Sequence, residues 1–143
     1  MSTIDLLNQQ VANLNLFYTK LHHYHWYVKG ATFFELHAKF EELYTAITAY
    51  YDEIAERILM RGGSPISTLK ESLAKSSLKE ATGGEDATTM VRQVIADLQQ
   101  MVDEYKVILE HAQQEADEVT ADLILGISKD LQKEIWMLTT LLK

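Results

Sequence analysis

Cysteine is absent from this 143-residue chain. That excludes a disulfide framework and any thiolate-based zinc or redox site, and it fits a reducing compartment. Proline occurs once and glycine six times, too few for a fold of many turns, so long uninterrupted helices are expected. No stretch approaches the roughly 18 apolar residues of a membrane span. The opening MSTIDLLNQQ has neither a positive start nor a continuous apolar run, so no signal peptide is expected and a cytoplasmic location is. Basic residues are in the minority, 13 against 21 acidic, for a formal charge of -8. A chain this acidic is a poor ligand for a phosphate backbone. It is suited to attracting cations, or simply to staying soluble.

What is present is helical periodicity. Ile4, Leu7, Val11, Leu14, Tyr18, Leu21, His25 and Val28 recur in steps of three and four, one face of a helix, and Gly30 ends it. Thr32-x-x-Glu35 reads as a capping box for a second helix. Its stripe is Leu36, Phe40, Leu43, Ile47, Tyr50, Ile54 and Ile58, and it stops at Gly62-Gly63. The pattern weakens from Ser64 to Gly84, where Thr68-x-x-Glu71 with Leu69 and Leu73 allows one short helix. A third long helix is expected from about Asp86 to Ala116, striped by Val91, Ile95, Leu98, Val102, Tyr105, Leu109 and Ala112. Asp117 or Thr120 caps a fourth, with Leu123, Ile127, Leu131, Ile135, Leu138 and Leu142 inward. The expected fold is all-α and a single domain over 1–143. It is a ferritin-like four-helix bundle with a short extra helix in the long connection between helices 2 and 3, four antiparallel helices with a plain loop being the alternative.

Four of the five histidines fall between Lys20 and Tyr44. On a wheel of the second helix with His37 at zero, Glu41 lies near ~40°, Asp52 near ~60° and Glu56 near ~100°. The apolar stripe centres near ~260° on that wheel, so these polar residues face away from the bundle core. A di-iron site inside one bundle needs carboxylates on the core face and Glu-x-x-His motifs. This chain has no Glu-x-x-His, and Glu110 and His111 are adjacent. Asp52 and Glu56 are separated by roughly 6 Å of rise and can share an ion, whereas His37 and Asp52, roughly 22 Å apart, cannot. The Gly30 break leaves His25 near His37.

Two copies lying antiparallel about a two-fold axis would bring His25 and His37 of one chain to Asp52 and Glu56 of the other, in two equivalent sites. Thr45, Thr48 and Ala55 between them are small enough for close approach. Mixed histidine and carboxylate ligands suit iron, zinc or manganese better than magnesium or calcium. Each residue also has an ordinary reading. Acidic residues at helix spacing are usually a solvated face, and a histidine on an apolar stripe is more often a packed core residue. Trp26, Phe33 and Phe34 are ordinary packing anchors, and Asp117, Glu118 and Asp122 ordinary helix-start charges. His22 and His23 are adjacent, point different ways and cannot both join one site.

The stretches LHHYHWYVKGATFFELHAKFEELY and DEIAERILMRGGSPISTLKE, with the ending DLILGISKDLQKEIWMLTTLL, resemble the Dps proteins, starvation-induced DNA-protecting mini-ferritins of bacteria. The resemblance spans essentially the whole chain. It implies a shell of twelve subunits built from two-fold dimers, with a ferroxidase site at each two-fold interface. It implies oxidation of Fe(II), preferably by hydrogen peroxide, and storage of ferric mineral inside. The implied iron ligands are His25 and His37 from one subunit and Asp52 and Glu56 from its partner. Two ions per site and competition by zinc belong to the same picture. Trp26 would lie beside the site and intercept oxidising equivalents. Glu41 would be a supporting or second-metal ligand, and Asp117 and Asp122 would line acidic three-fold pores. One departure stands out. Met1 to Thr19 contains no Lys or Arg, so weak or absent direct DNA binding is expected, and no membrane association.

Overall fold

The computed structural model describes residues 1–143 and contains five helices and no strand. They are α1 (Thr3–Tyr27), α2 (Phe33–Met60), α3 (Leu69–Lys75), α4 (Ala87–Gln114) and α5 (Glu118–Leu141). The all-helical expectation holds, with the short α3 inside the long connection. The chain divides into two compact units, Ile4–Met90 and Met1–Thr3 with Val91–Lys143.

In the Ile4–Met90 unit, α1 and α2 form a hairpin whose apolar stripes are buried. Leu7, Val11, Leu14, Leu21 and Val28 come from α1, and Leu36, Phe40, Leu43, Ile47, Ile54 and Ile58 from α2. The rings of Tyr24 and Phe40 meet across the hairpin with centroids 5.9 Å apart. Tyr18, expected on the inward stripe, is instead 40% exposed. The turn between the helices uses Gly30 at φ +110°, a conformation that costs glycine little and other residues much. Thr32 is the N-cap of α2, but its side chain makes no capping bond, so the expected capping box is not formed. Backbone bonds serve instead, from Phe33 N–H to the Gly30 carbonyl and from Leu36 N–H to the Thr32 carbonyl.

The connection after α2 lacks its own apolar period because polar groups on α1 hold it. Backbone N–H and C=O groups that leave water need partners, and α1 supplies them. Asn8 bonds Ser64 O and Ile66 N–H. The fully buried Asn13 accepts from the Ser76 hydroxyl and Ser77 N–H, each at 2.8 Å. Lys20 Nζ donates to Lys79 O at 2.8 Å, and the Tyr24 hydroxyl donates to Glu85 at 3.0 Å. Gly63 sits where a β-carbon would lie 3.0 Å from both Ile4 and Ile58. Thr68 caps α3: its hydroxyl oxygen accepts from Glu71 N–H and its hydroxyl donates to the Glu71 carboxylate.

In the other unit, α4 buries Val91, Val94, Leu98, Met101, Val102, Tyr105, Ile108 and Ala112, and α5 buries Ile124, Ile127, Leu131 and Leu138. Asp117 caps α5 by accepting from Thr120 N–H at 3.1 Å. Thr3 ties the amino-terminal residues to this unit through Glu115 at 2.9 Å.

Candidate metal centre

His25 stands at the end of α1 and His37 in the opening turns of α2. The turn through Gly30 lays their rings face to face, with centroids 3.7 Å apart and planes 11° from parallel. His25 Nδ1 contacts the His37 carbonyl at 2.6 Å, and His37 Nδ1 contacts the His25 carbonyl at 2.7 Å. A carbonyl only accepts, so each Nδ1 carries the hydrogen and each Nε2 keeps its lone pair. This is the arrangement that orients a metal-binding histidine and raises its basicity. His25 is buried and His37 half-buried, with Phe33 along the His37 ring at 5.0 Å.

Glu41, one turn further along α2, places Oε1 3.8 Å from His25 Nε2. Partial burial, followed by the Glu41 charge, holds the Tyr44 phenol above its ordinary pKa. His22 stacks on the Tyr44 ring at 3.7 Å and 21°, and its Nδ1 donates to the Tyr18 carbonyl at 2.9 Å. Trp26 meets His22 edge-on at 5.4 Å and is 67% exposed. His23 turns the other way, beside Tyr27 at 4.7 Å, with a buried Nε2 that has no partner. It lines a separate cavity of about 310 Å³ with Leu69 and Leu73 of α3.

Asp52 and Glu56 lie exposed on α2, one helical turn apart. The charge on Asp52 pushes the Glu56 pKa up, the expected result when two like charges share a place without a cation. Along α2 this pair is ~22 Å from His37. No group of three or more metal-ligating side chains comes together anywhere in the chain. The structure thus assembles His25 with His37, and Asp52 with Glu56, but not one pair with the other. Between the pairs, Thr45 and Thr48 are exposed and bond back to the Glu41 and Tyr44 carbonyls. Asp117 uses its carboxylate to cap α5, while Asp122 is exposed.

The stack of His22 on Tyr44 was not anticipated from the sequence. A signal was there, in Glu41-x-x-Tyr44 and Tyr18-x-x-x-His22-x-x-x-Trp26, both at helical-neighbour spacing.

A ferritin-like domain model matches residues 4–143. The DNA protection during starvation protein 2 of Bacillus anthracis is 52% identical over 97% of this chain and 95% of its own length. The chain belongs to the Dps family of ferritin-like proteins. A crystal structure of a Dps protein from Bacillus brevis superimposes with a TM-score of 0.97 at 50% identity, covering 99% of this chain and 95% of the other. The Dps of Listeria innocua, in a structure soaked with zinc, matches with a TM-score of 0.95 at 41% identity, covering 99% and 96%. The fold is therefore the ferritin-like four-helix bundle of Dps proteins. Family membership associates the chain with iron storage and with protection of DNA under stress in general terms. No helix of this Dps chain is long and apolar enough to cross a membrane.

Proposed function

We propose that this Dps protein is a peroxide-consuming ferroxidase and iron store, with its sites completed between two copies of the chain. The observation that carries the reading is the split donor set. His25 and His37 present two Nε2 lone pairs fixed by reciprocal backbone bonds, while Asp52 and Glu56 form a self-repelling carboxylate pair elsewhere on α2. Each half has two donors, and each lacks what the other has. An antiparallel two-fold pairing along the polar face of α2 joins them, giving two equivalent sites per dimer. Six such dimers build the dodecameric shell.

In each site, His25 and His37 bind Fe(II) through Nε2, and the partner's Asp52 and Glu56 neutralise its charge. Glu41 supports a second ion. The mixed donor set suits ferrous iron, and zinc competes for it. Hydrogen peroxide accepts one electron from each of two ferrous ions and, with two protons, leaves as two waters. No hydroxyl radical is released, and ferric mineral accumulates inside the shell. Exposed Trp26 intercepts stray oxidising equivalents. Acidic residues including Asp117 and Asp122 draw Fe(II) in by charge. Protection of DNA is chemical in this reading. The charge of -8 and the absence of Lys or Arg from Met1 to Thr19 disfavour direct DNA binding.

Stopped-flow Fe(II) oxidation, with peroxide and with oxygen, tests the proposal on protein of natively measured mass. Rapid peroxide-driven oxidation is expected, slowed by replacing His25 and His37 together with glycine while the assembled mass is unchanged. Unaltered kinetics in that variant would remove the histidines from the site.

A further inference from the structure

Met60 is the last residue of α2. It stands one helical turn beyond Glu56, as Glu56 stands beyond Asp52, so a thioether follows the carboxylate pair along the helix. Its side chain is 72% exposed. Methionine ordinarily fills gaps in cores, as Met90 and Met101 do here, both fully buried on α4. Met60 fills none. Its sulfur is open to small solutes, one turn from a residue of the candidate site.

Arg57 supplies a second observation. Its Nη1 donates to Met60 Sδ at 3.8 Å. A thioether sulfur is a weak acceptor, so this bond holds the side chain lightly. It does aim a guanidinium N–H at the one atom of the side chain that an oxidant attacks. Oxygen carried to that sulfur is a much better acceptor than the sulfur itself. A bond to it from a charged donor is roughly twice as strong as a neutral one. The donor is thus already in place where negative charge develops during transfer, the arrangement that lowers a barrier.

We propose that Met60 is a modification site that takes an oxygen atom from hydrogen peroxide beside the carboxylate half of the metal site, with Arg57 as the donor that assists the transfer. The inference rests on the ferroxidase reading for its oxidant. The step moves two electrons. A sulfur lone pair attacks one peroxide oxygen, the S–O bond forms and the O–O bond breaks. The departing hydroxide takes the proton left on the transferred oxygen. One thioether and one peroxide give one sulfoxide and one water, and no iron is used. Met60 therefore meets peroxide that arrives without enough Fe(II) to reduce it. The product is the substrate of a methionine sulfoxide reductase, the class of enzyme that restores the thioether.

The test treats the assembled, metal-free protein with hydrogen peroxide and follows each methionine by peptide mass spectrometry, as the gain of one oxygen. Met1, 69% exposed, is the reference for exposure alone, and Met90 and Met101 are the references for burial. Met60 is expected to oxidise about 5-fold faster than Met1, the rate effect of one net hydrogen bond in the transition state. Met90 and Met101 should stay reduced. Arg57→Leu should bring Met60 down to the Met1 rate. A Met60 that stays reduced, that only keeps pace with Met1, or that ignores Arg57→Leu would overturn the proposal. Failure of the ferroxidase reading looks different. Fe(II) added first, at two per peroxide, should spare Met60 by consuming the oxidant, and replacing His25 and His37 with glycine should abolish that protection. Fe(II) that spares nothing in the wild-type protein would count against the ferroxidase reading and leave the metal-free chemistry of Met60 standing.

Discussion

His25 and His37 each donate a ring N–H to the other's main-chain carbonyl, at 2.6 and 2.7 Å. The two residues are twelve apart in sequence and on different helices. The closed pair fixes both tautomers together and leaves Nε2 of each neutral ring as the acceptor. It also ties the geometry of the half-site to the geometry of the turn between them.

Gly30 is the residue in that turn at φ +110°. A β-carbon there meets nothing within 4 Å, so the cost of Gly30→Ala is one of backbone conformation alone, about 1–3 kcal/mol. Urea denaturation should show that loss. Histidine NMR signals should show the reciprocal bonds disturbed, and zinc binding should weaken. A variant of unchanged stability with an intact histidine pair would mean that the hairpin, rather than the turn residue, fixes the pair.

Asp52 and Glu56 should respond to substitution with opposite signs in two assays. Because the Asp52 charge raises the folded pKa of Glu56, the folded chain binds more protons than the unfolded one between the ordinary carboxylate value and the raised one. Stability therefore falls as pH rises through that window. Asp52→Asn removes the repulsion. It should return the Glu56 carboxyl toward its ordinary pKa, followed by NMR titration, and leave the metal-free protein at least as stable at neutral pH. Metal affinity should drop in the same variant. Loss of stability without loss of metal binding would make the pair structural.

Much of the fold was legible because its helices obey one period. The α2 stripe was readable at Leu36, Phe40, Leu43, Ile47, Ile54 and Ile58, all buried, while Tyr50 on the same stripe is half-buried. Tyr18 broke the pattern because its carbonyl and ring serve His22 and Tyr44 rather than the core. Thr32-x-x-Glu35 has a capping-box sequence, yet the tight turn from Gly30 satisfies the first α2 amides through backbone carbonyls. The connection after α2 looked featureless because its partners are Asn8, Asn13, Lys20 and Tyr24, far away in sequence. At the site, spacing alone could group His37 with Glu41 and separate both from Asp52. The stack of His22 on Tyr44 depends on how two helices face each other, which no single-helix period contains.

Glu85 anchors the end of that connection and sets a prediction for acid. Burial opposes its ionisation, but the backbone amides around it, with hydrogen bonds from the Tyr24 hydroxyl and Thr82 N–H, outweigh that and hold its pKa below the ordinary value. A depressed folded pKa contributes stability that is fully present above the unfolded carboxyl value and is lost as pH falls through the folded one. Glu85→Gln should therefore lower the urea midpoint at pH 7 and narrow the gap from wild type as the medium is acidified. A gap that is constant with pH would show that the charge on Glu85 contributes nothing.

The split site makes a prediction that no single-chain site can match. Take one variant with His25 and His37 replaced by glycine, and a second with Asp52→Asn and Glu56→Gln. Each alone should be slowed to a low background rate of Fe(II) oxidation. In a mixed dimer, one site combines the defective halves and is dead. The other combines the intact histidines of one chain with the intact carboxylates of its partner. Random co-assembly makes half of the dimers mixed, each with one good site of two, so about a quarter of the wild-type sites should return, by the two-fold symmetry of the pairing. Stopped-flow Fe(II) oxidation on co-refolded protein reads that fraction, with zinc stoichiometry as an independent count. Simple mixing without dissociation should restore nothing. If each chain held its whole site, every chain in the mixture would carry a defect and co-assembly would stay at zero.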